Sequence, residues 1–161
     1  MKNIMLFIIG VVILLLETFL TNFLNASVSI NFLLVFIILI SLYYDKNYSL
    51  VLGGILGLIS DLVSGGIIGV TGVLFLATSY FIFSIEKSIF KDDKKIICLL
   101  VYIVSAGYSL LNGVVSAIFF VPPSLFVALL KMIIVFPILN SLIAFVAYTL
   151  FEDRLKKLRE D

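Results

Sequence analysis

Apolar residues occupy most of the chain in six runs, which short polar or charged segments separate. A run of about 20 apolar residues has the length that a helix needs to cross the hydrocarbon core of a bilayer. The first run is longer than the core of about 7–15 residues in a signal peptide, so we interpret it as an uncleaved helix. The pattern predicts an all-α integral membrane protein, a single domain of six transmembrane helices over residues 4–24, 32–44, 48–63, 67–85, 96–121 and 124–151.

The ends of these runs carry further signals. The third run is short, which predicts that its outer end lies below the membrane surface or that the bilayer thins there. Pro122–Pro123 cannot continue a helix, and Pro137 predicts a kink in the sixth run. In the tail, residues 152–161, Leu155 and Leu158 continue the helical spacing. This predicts a helix end that lies along the lipid, with contact to a cytoplasmic partner as the alternative.

The composition supports a membrane protein and excludes several kinds of site. Of the 161 residues, 63% are hydrophobic and 13% are charged, whereas soluble domains are about half apolar and about a quarter charged. The mean hydropathy is +1.29. There is no histidine, and the single cysteine, Cys98, lies inside an apolar run. Disulfides, zinc sites and Cys–His nucleophile pairs are thereby excluded, and we expect no cofactor, no metal and no nucleic-acid partner.

The basic residues favour one orientation in the membrane. In a six-span arrangement the loops 25–31, 64–66 and 122–124 carry no charge. The positive-inside rule therefore predicts that both termini lie in the cytoplasm. All of the 11 Lys and Arg residues except Lys131 fall on the side of the termini: Lys2, Lys46, Lys87, Lys91, Lys94, Lys95, Arg154, Lys156, Lys157 and Arg159.

Small residues in the third run follow helical spacing and lie on two neighbouring stripes, while bulky aliphatic residues cover the rest of the helix. Small side chains let two helix backbones approach closely in a membrane. The stripes therefore predict a helix-packing or partner interface that extends past the turn. Its predicted members are Gly53, Gly54, Gly57, Ser60, Ser64, Gly65 and Gly69.

Three ionisable residues, Glu17, Asp61 and Lys131, fall inside the predicted membrane, at similar depth in its outer half. An uncompensated charge there costs several kcal/mol, which favours a mutual arrangement. Alternatively, Lys131 extends its stem to the headgroups and Glu17 is protonated. A catalytic acid–base pair is conceivable, but no neighbouring motif completes one, so we do not expect an enzyme.

Asp61 adjoins the small-residue stripes and is therefore predicted to face protein. It is either a satisfied polar group in a packing seam or part of a partner or ligand site. Free amides at the start of the fourth helix and the positive end of its dipole favour a negative charge. We predict that Asp61 stabilises the turn between the third and fourth helices, with Lys131 as a second partner.

The run Gly57–Val70, GLISDLVSGGIIGV, resembles the signature of the rod shape-determining protein MreD family. In both, a glycine-spaced helix leads into Asp-Leu, a small-residue turn and Gly-Val. Asn31 before the second helix, the basic loop after the fourth and Pro123-Ser-Leu-Phe at the start of the sixth also agree. Glu17 and Lys131 belong to no signature of that family.

The resemblance implies a non-enzymatic scaffold subunit of the bacterial cell-elongation machinery in the inner (cytoplasmic) membrane. Such a protein binds the single-span scaffold MreC and works with a RodA-type glycan polymerase and its transpeptidase, coupled to MreB filaments, in peptidoglycan synthesis at the lateral wall. Recognition would occur between helices surrounded by membrane lipid. Whether the chain forms a homo-oligomer is left open.

The alternative function belongs to another class. Proteins of this kind resemble in topology the substrate-binding components of energy-coupling-factor vitamin transporters, which capture a small molecule in an aromatic and polar cavity. Here the outer loops are short and uncharged, and their only aromatic residues are Phe32 and Phe126 at the margins. This disfavours a ligand pocket. Neighbouring genes for a scaffold and an actin homologue, or for transporter ATPases, would discriminate between the two.

Overall fold

The computed structural model describes residues 2–23, 30–89, 93–119 and 129–160. This part of the chain is helical and contains no strand, which confirms the predicted all-α class. A short 3₁₀ turn, Glu86–Ser88, follows the fourth helix, and a π-helical turn, Lys131–Val135, precedes the sixth. The six helices are α1 (Lys2–Phe23), α2 (Phe32–Tyr43), α3 (Lys46–Ser64), α4 (Val70–Ile85), α5 (Lys94–Phe119) and α6 (Phe136–Glu160).

Among the described residues, four helical segments are long and apolar enough to cross a membrane: Lys2–Phe23, Lys46–Ser64, Lys94–Ile118 and Lys131–Leu158. The other two helices are shorter, since α2 has 12 residues and α4 has 16. At ~1.5 Å per residue they are about 18 and about 24 Å long, less than the hydrocarbon thickness of about 30 Å.

The prediction that the third helix is short is therefore wrong. Asp45 is its N-cap, and the Asp45 Oδ1 atom accepts a hydrogen bond of 3.0 Å from the amide of Tyr48. This cap starts α3 at Lys46, two residues before the predicted start. The helix ends at Ser64, one residue after the predicted end, and has 19 residues. The short helices are instead those on either side of it in sequence.

Helix α2 lies at the centre of the bundle and contacts all five other helices. Apart from Phe32 and Phe36, all of its residues are buried. A helix that is apolar around its whole circumference has to be covered on every side. Here protein provides that cover, so α2 does not need to reach both membrane surfaces.

A π-helical turn, Lys131–Val135, lies just before Pro137, the position at which a kink is predicted. Proline has no amide hydrogen, so in a regular α-helix the carbonyl four residues earlier, that of Ile133, would lose its donor. The Tyr102 hydroxyl of α5 donates a hydrogen bond of 3.2 Å to this carbonyl. Residues 120–128, which include Pro122–Pro123 and the predicted start of the sixth helix, lie outside the described residues.

At one end of the bundle, called the basic end here because Lys2, Lys46 and Lys94 lie there, α6 runs on to Glu160. The predicted helical continuation into the tail is thus confirmed. Glu152 binds Lys94 Nζ at 3.1 Å and Lys156 Nζ at 2.8 Å. The pair with Lys94 joins the last turns of α6 to the start of α5, and the pair with Lys156 lies within α6. The opposite end, at the first residues of α2 and α4, is called the cavity end.

Candidate functional site

At the cavity end, the buried carboxylate of Asp61 caps the first turn of α4. Its Oδ2 atom accepts hydrogen bonds from the amides of Gly69, at 2.8 Å, and Thr71, at 3.1 Å. The first amides of a helix have no partner within the helix, and Gly69, the N-cap residue, has no side chain to supply one. A carboxylate from the preceding helix takes that role and lies at the positive end of the α4 dipole.

The main chain of Asp61 also fixes the turn between α3 and α4. Its carbonyl oxygen accepts from the amides of Gly65 and Gly66, which ends α3. Gly65 has φ of 68° and Gly69 has φ of 97°, a region that side chains with a Cβ disfavour. The turn therefore wraps around Asp61, which holds both of its ends.

Glu17 of α1 caps α2 in a similar way. Its Oε2 atom accepts a hydrogen bond of 2.9 Å from the amide of Leu33, and the amide of Phe32 lies beside the same carboxylate. The N-cap residue Asn31 accepts from the amide of Leu34 at 2.6 Å. The first three amides of α2 thus face acceptors, as polar backbone groups at a helix start require.

A polar contact joins the start of α2 to α5 and α6. The amide of Asn31 donates to the Asn140 Oδ1 atom at 3.1 Å, and the Asn140 Nδ2 atom donates to the Ser105 hydroxyl at 3.2 Å. Asn140 is fully buried. The hydroxyl of Tyr108 contacts the side chain of Thr71 and lies within electrostatic range of both capping carboxylates. The two caps therefore lie in one connected polar region.

The predicted small-residue interface divides into three parts. The first part, Gly53, Gly54 and Gly57, packs against α4. A Cβ atom added to Gly57 would lie 2.6 Å from the Cα atom of Gly72 and 2.8 Å from the carbonyl oxygen of Thr71. The backbones of α3 and α4 touch there, so this part of the stripe is a seam inside the molecule and is not free for a partner.

The other members of the stripe do not enter that seam. Ser60 and Ser64 face the cavity described next, and the Ser64 hydroxyl donates to the Ser60 carbonyl at 2.7 Å. Gly65 and Gly69 lie in the turn, and a Cβ on either would have open space around it. Their role is the positive φ of the turn.

A cavity of about 600 Å³ lies between α1, α3, α5 and the π-helical turn. Its volume is within the range of about 300–1,000 Å³ that ligand sites have. Leu14, Ile30, Val63, Met132, Val135 and Phe136 form its apolar wall. The polar side chains around it are Glu17, Thr18, Thr21, Asn22, Asn31, Ser60, Ser64, Tyr108, Ser109, Asn112, Ser116 and Lys131.

The structure brings two of the three predicted intramembrane charges to this cavity. Glu17 and Lys131 both line it, whereas Asp61 does not. Lys131 is exposed, and within the described ranges it forms no ion pair. The predicted second contact of Asp61, with Lys131, is accordingly not formed. Backbone amides donate hydrogen bonds to the Asp61 carboxylate instead.

A polar face on α5 was not predicted from the sequence. Ser105, Ser109, Asn112 and Ser116 recur at steps of four, three and four residues, which places them on one side of a helix. That spacing within an apolar run was the available signal. No group of three or more His, Cys, Asp or Glu side chains in the described part of the chain could hold a metal ion.

Comparison with known proteins gives one result. The sequence model of a family described as rod shape-determining protein MreD matches residues 1–155. No curated protein and no solved structure matches the chain significantly.

Proposed function

Since the chain belongs to the MreD family and is a rod-shape-determining membrane protein, we propose that it acts as a non-enzymatic scaffold subunit of the bacterial cell-elongation machinery. It binds an MreC-type single-span scaffold and supports peptidoglycan synthesis with a RodA-type polymerase and its transpeptidase. The observation that carries this proposal is the match of the family over residues 1–155. Family membership also confirms the resemblance drawn from Gly57–Val70.

The proposed setting is the inner membrane, with both termini in the cytoplasm and six helices in one domain. The clustering of Lys2, Lys46 and Lys94 at the basic end supports this orientation. The short helices α2 and α4 would be embedded without reaching both surfaces. A reporter that is active only in the cytoplasm should work when fused after Asp161, and activity of an exported reporter there would contradict the orientation.

A partner helix needs a face that the bundle itself does not use. Gly107 of α5 offers one, because a Cβ added there would meet no atom within 4 Å. Its neighbours on the helix surface, Ile103 and Leu111, are exposed too. A glycine inside a helix costs about 1 kcal/mol relative to alanine. Close packing of another helix against the glycine can offset that cost. We therefore place the scaffold contact on this face.

The test is co-purification of the tagged full-length protein with the MreC-type scaffold from native membranes. The wild type should recover the scaffold. Gly107→Leu should recover severalfold less at equal abundance, while Ala77→Leu, which also adds a large side chain but at an exposed position of α4, should not differ. Absence of the scaffold from the wild-type sample contradicts the function. Equal recovery with Gly107→Leu contradicts only this choice of face.

A small-molecule-binding component of a transporter is the second candidate, and the cavity of about 600 Å³ is the observation that favours it. Tyr108 and Phe136 add aromatic surface to the cavity wall that the loop sequences did not reveal. In that case transporter ATPases, and no elongation protein, should accompany the tagged protein. The same purification therefore separates the two functions.

A further inference from the structure

The cavity holds a positively charged side chain, Lys131, that forms no ion pair within the described residues. Glu17 is the acidic residue in its described wall, and the amides at the start of α2 already engage that carboxylate. Lys131 has no ion pair there, and the α2 dipole also points its positive end toward this region. An anion is therefore the ligand charge that the cavity favours.

One face of α5 supplies hydrogen-bond donors to the same cavity that Lys131 lines. Ser109, Asn112 and Ser116 line the cavity at helical spacing. Met132, next to Lys131, contacts Gly113 so closely that a Cβ there would lie 2.4 Å from the Met132 sulfur. This contact holds the π-helical turn against α5. Hydroxyl and amide donors beside an ammonium group suit the oxygen atoms of a phosphate.

The rest of the wall is apolar and membrane-embedded. Leu14, Val135 and Phe136 line the cavity beside the polar groups. Glu17 lies six residues before the end of α1, about 9 Å along the helix. A ligand that fills the cavity should thus have an apolar part beside its anionic group.

We propose that the cavity binds the phosphate-bearing headgroup of a membrane lipid. The Lys131 ammonium contacts the phosphate, Ser109, Asn112 and Ser116 donate hydrogen bonds to it, and the chains leave along the apolar wall. This inference does not depend on the proposed scaffold function, because it uses only the cavity and its charges.

The test measures lipid binding by the purified full-length protein in an uncharged detergent. A short-chain phosphatidylglycerol is the probe, and a diacylglycerol with the same chains, which lacks the phosphate, is its control. Only the phospholipid should bind. Equal binding of the diacylglycerol overturns the role of the phosphate. If inorganic phosphate binds as tightly as the phospholipid, the ligand is a soluble phosphate and the lipid source is overturned.

Variants locate the site. Lys131→Gln should weaken phosphatidylglycerol binding by about tenfold, the loss expected for one charge-assisted contact, and Lys131→Arg should retain it. Lys95→Gln removes the same charge at the basic end and should bind like the wild type. Unchanged binding by Lys131→Gln means that this side chain extends to bulk headgroups and overturns the proposal.

A second substitution tests the cavity without changing any charge. Ser116→Leu fills the polar side of the cavity and should abolish binding, whereas Ile118→Leu, on an exposed part of α5, should not. Thermal unfolding without lipid should be the same for both variants, which separates loss of the site from loss of the fold. Full binding by Ser116→Leu places the lipid elsewhere and overturns the proposal.

Discussion

Asp61 and Glu17 cap two short helices by the same chemistry in different surroundings. Asp61 takes its partners from its own helical hairpin, no more than ten residues away along the chain, and is 3% exposed. Glu17 reaches the amide of Leu33, 16 residues away, and is half-buried at the wall of the cavity. The first cap is closed within its turn, while the second borders a space that solvent or a ligand can enter.

The difference suggests that the Asp61 cap serves folding alone, whereas the Glu17 cap also belongs to the wall of a binding cavity. Removal of a buried acceptor leaves its donors without any partner, at a cost of about 1–3 kcal/mol for each. A donor beside a polar cavity can bind water instead. The two caps should therefore respond differently to the same substitution, and the following experiments test this difference in order of expected effect.

The largest effect is expected at Gly57, where the Asp61 hairpin has its closest backbone contact. Gly57→Leu forces the backbones of α3 and α4 apart and should lower the free energy of unfolding by more than about 3 kcal/mol. Ile55→Leu on the exposed face of α3 is the matched control and should change it little. Thermal unfolding of the purified proteins measures both. Equal effects would mean that the seam does not hold the hairpin.

Asp61→Leu comes next. It removes the acceptor for the amides of Gly69 and Thr71, and we expect a loss of about 2–4 kcal/mol in the free energy of unfolding. Protein abundance in the membrane and thermal unfolding are the measurements. An abundant, stable variant that still recovers its scaffold partner would show that Asp61 neither caps the turn nor belongs to a partner site.

Glu17→Leu removes the corresponding acceptor from the start of α2. Water in the cavity can reach the freed amides, and Asn31 still accepts from Leu34, so we expect a smaller loss of about 1–2 kcal/mol. Thermal unfolding should rank the variant between Asp61→Leu and the wild type. A loss as large as that of Asp61→Leu would remove the distinction between the closed cap and the open one.

The same distinction explains what the sequence could predict. The partners of Asp61 lie in the next turn of chain, so its helical position and the following glycines were sufficient to expect amide donors there. The partners of Glu17 lie on a helix whose placement depends on five neighbours. Local spacing contains no information on that placement, and Glu17 was expected either to pair with other charges or to be protonated.

The number of helices could be predicted from local sequence, but their lengths and positions could not. Apolar runs predicted six helices, but the central position of α2 and the Asp45 cap that lengthens α3 depend on tertiary contacts and on one side chain. The outer loops disfavoured a ligand pocket, and they did not reveal the cavity because it forms where α1, α3, α5 and the π-helical turn meet. The polar face of α5 could have been found, since its spacing is visible in the sequence.

The smallest effects are expected from amide replacements, which keep an acceptor but remove the charge. In Asp61 both hydrogen bonds go to Oδ2, so Asp61→Asn can place its carbonyl oxygen there and keep both. Glu17→Gln can likewise keep the bond from Leu33, which goes to a single oxygen. Asp61→Asn then loses only the attraction between the charge and the helix dipole, about 0.3–1 kcal/mol. Glu17→Gln loses that attraction and any bond from the amide of Phe32, which lies beside the same carboxylate.

Thermal unfolding of these two variants tests whether the caps act through hydrogen bonds or through charge. A loss near that of Asp61→Leu would show that the negative charge is required and that the amide bonds are secondary. The cavity offers a second measurement for Glu17 alone. Glu17→Gln removes the negative charge from the described wall that holds Lys131, so phosphatidylglycerol should bind slightly more tightly. Asp61→Asn, which does not line the cavity, should leave lipid binding unchanged.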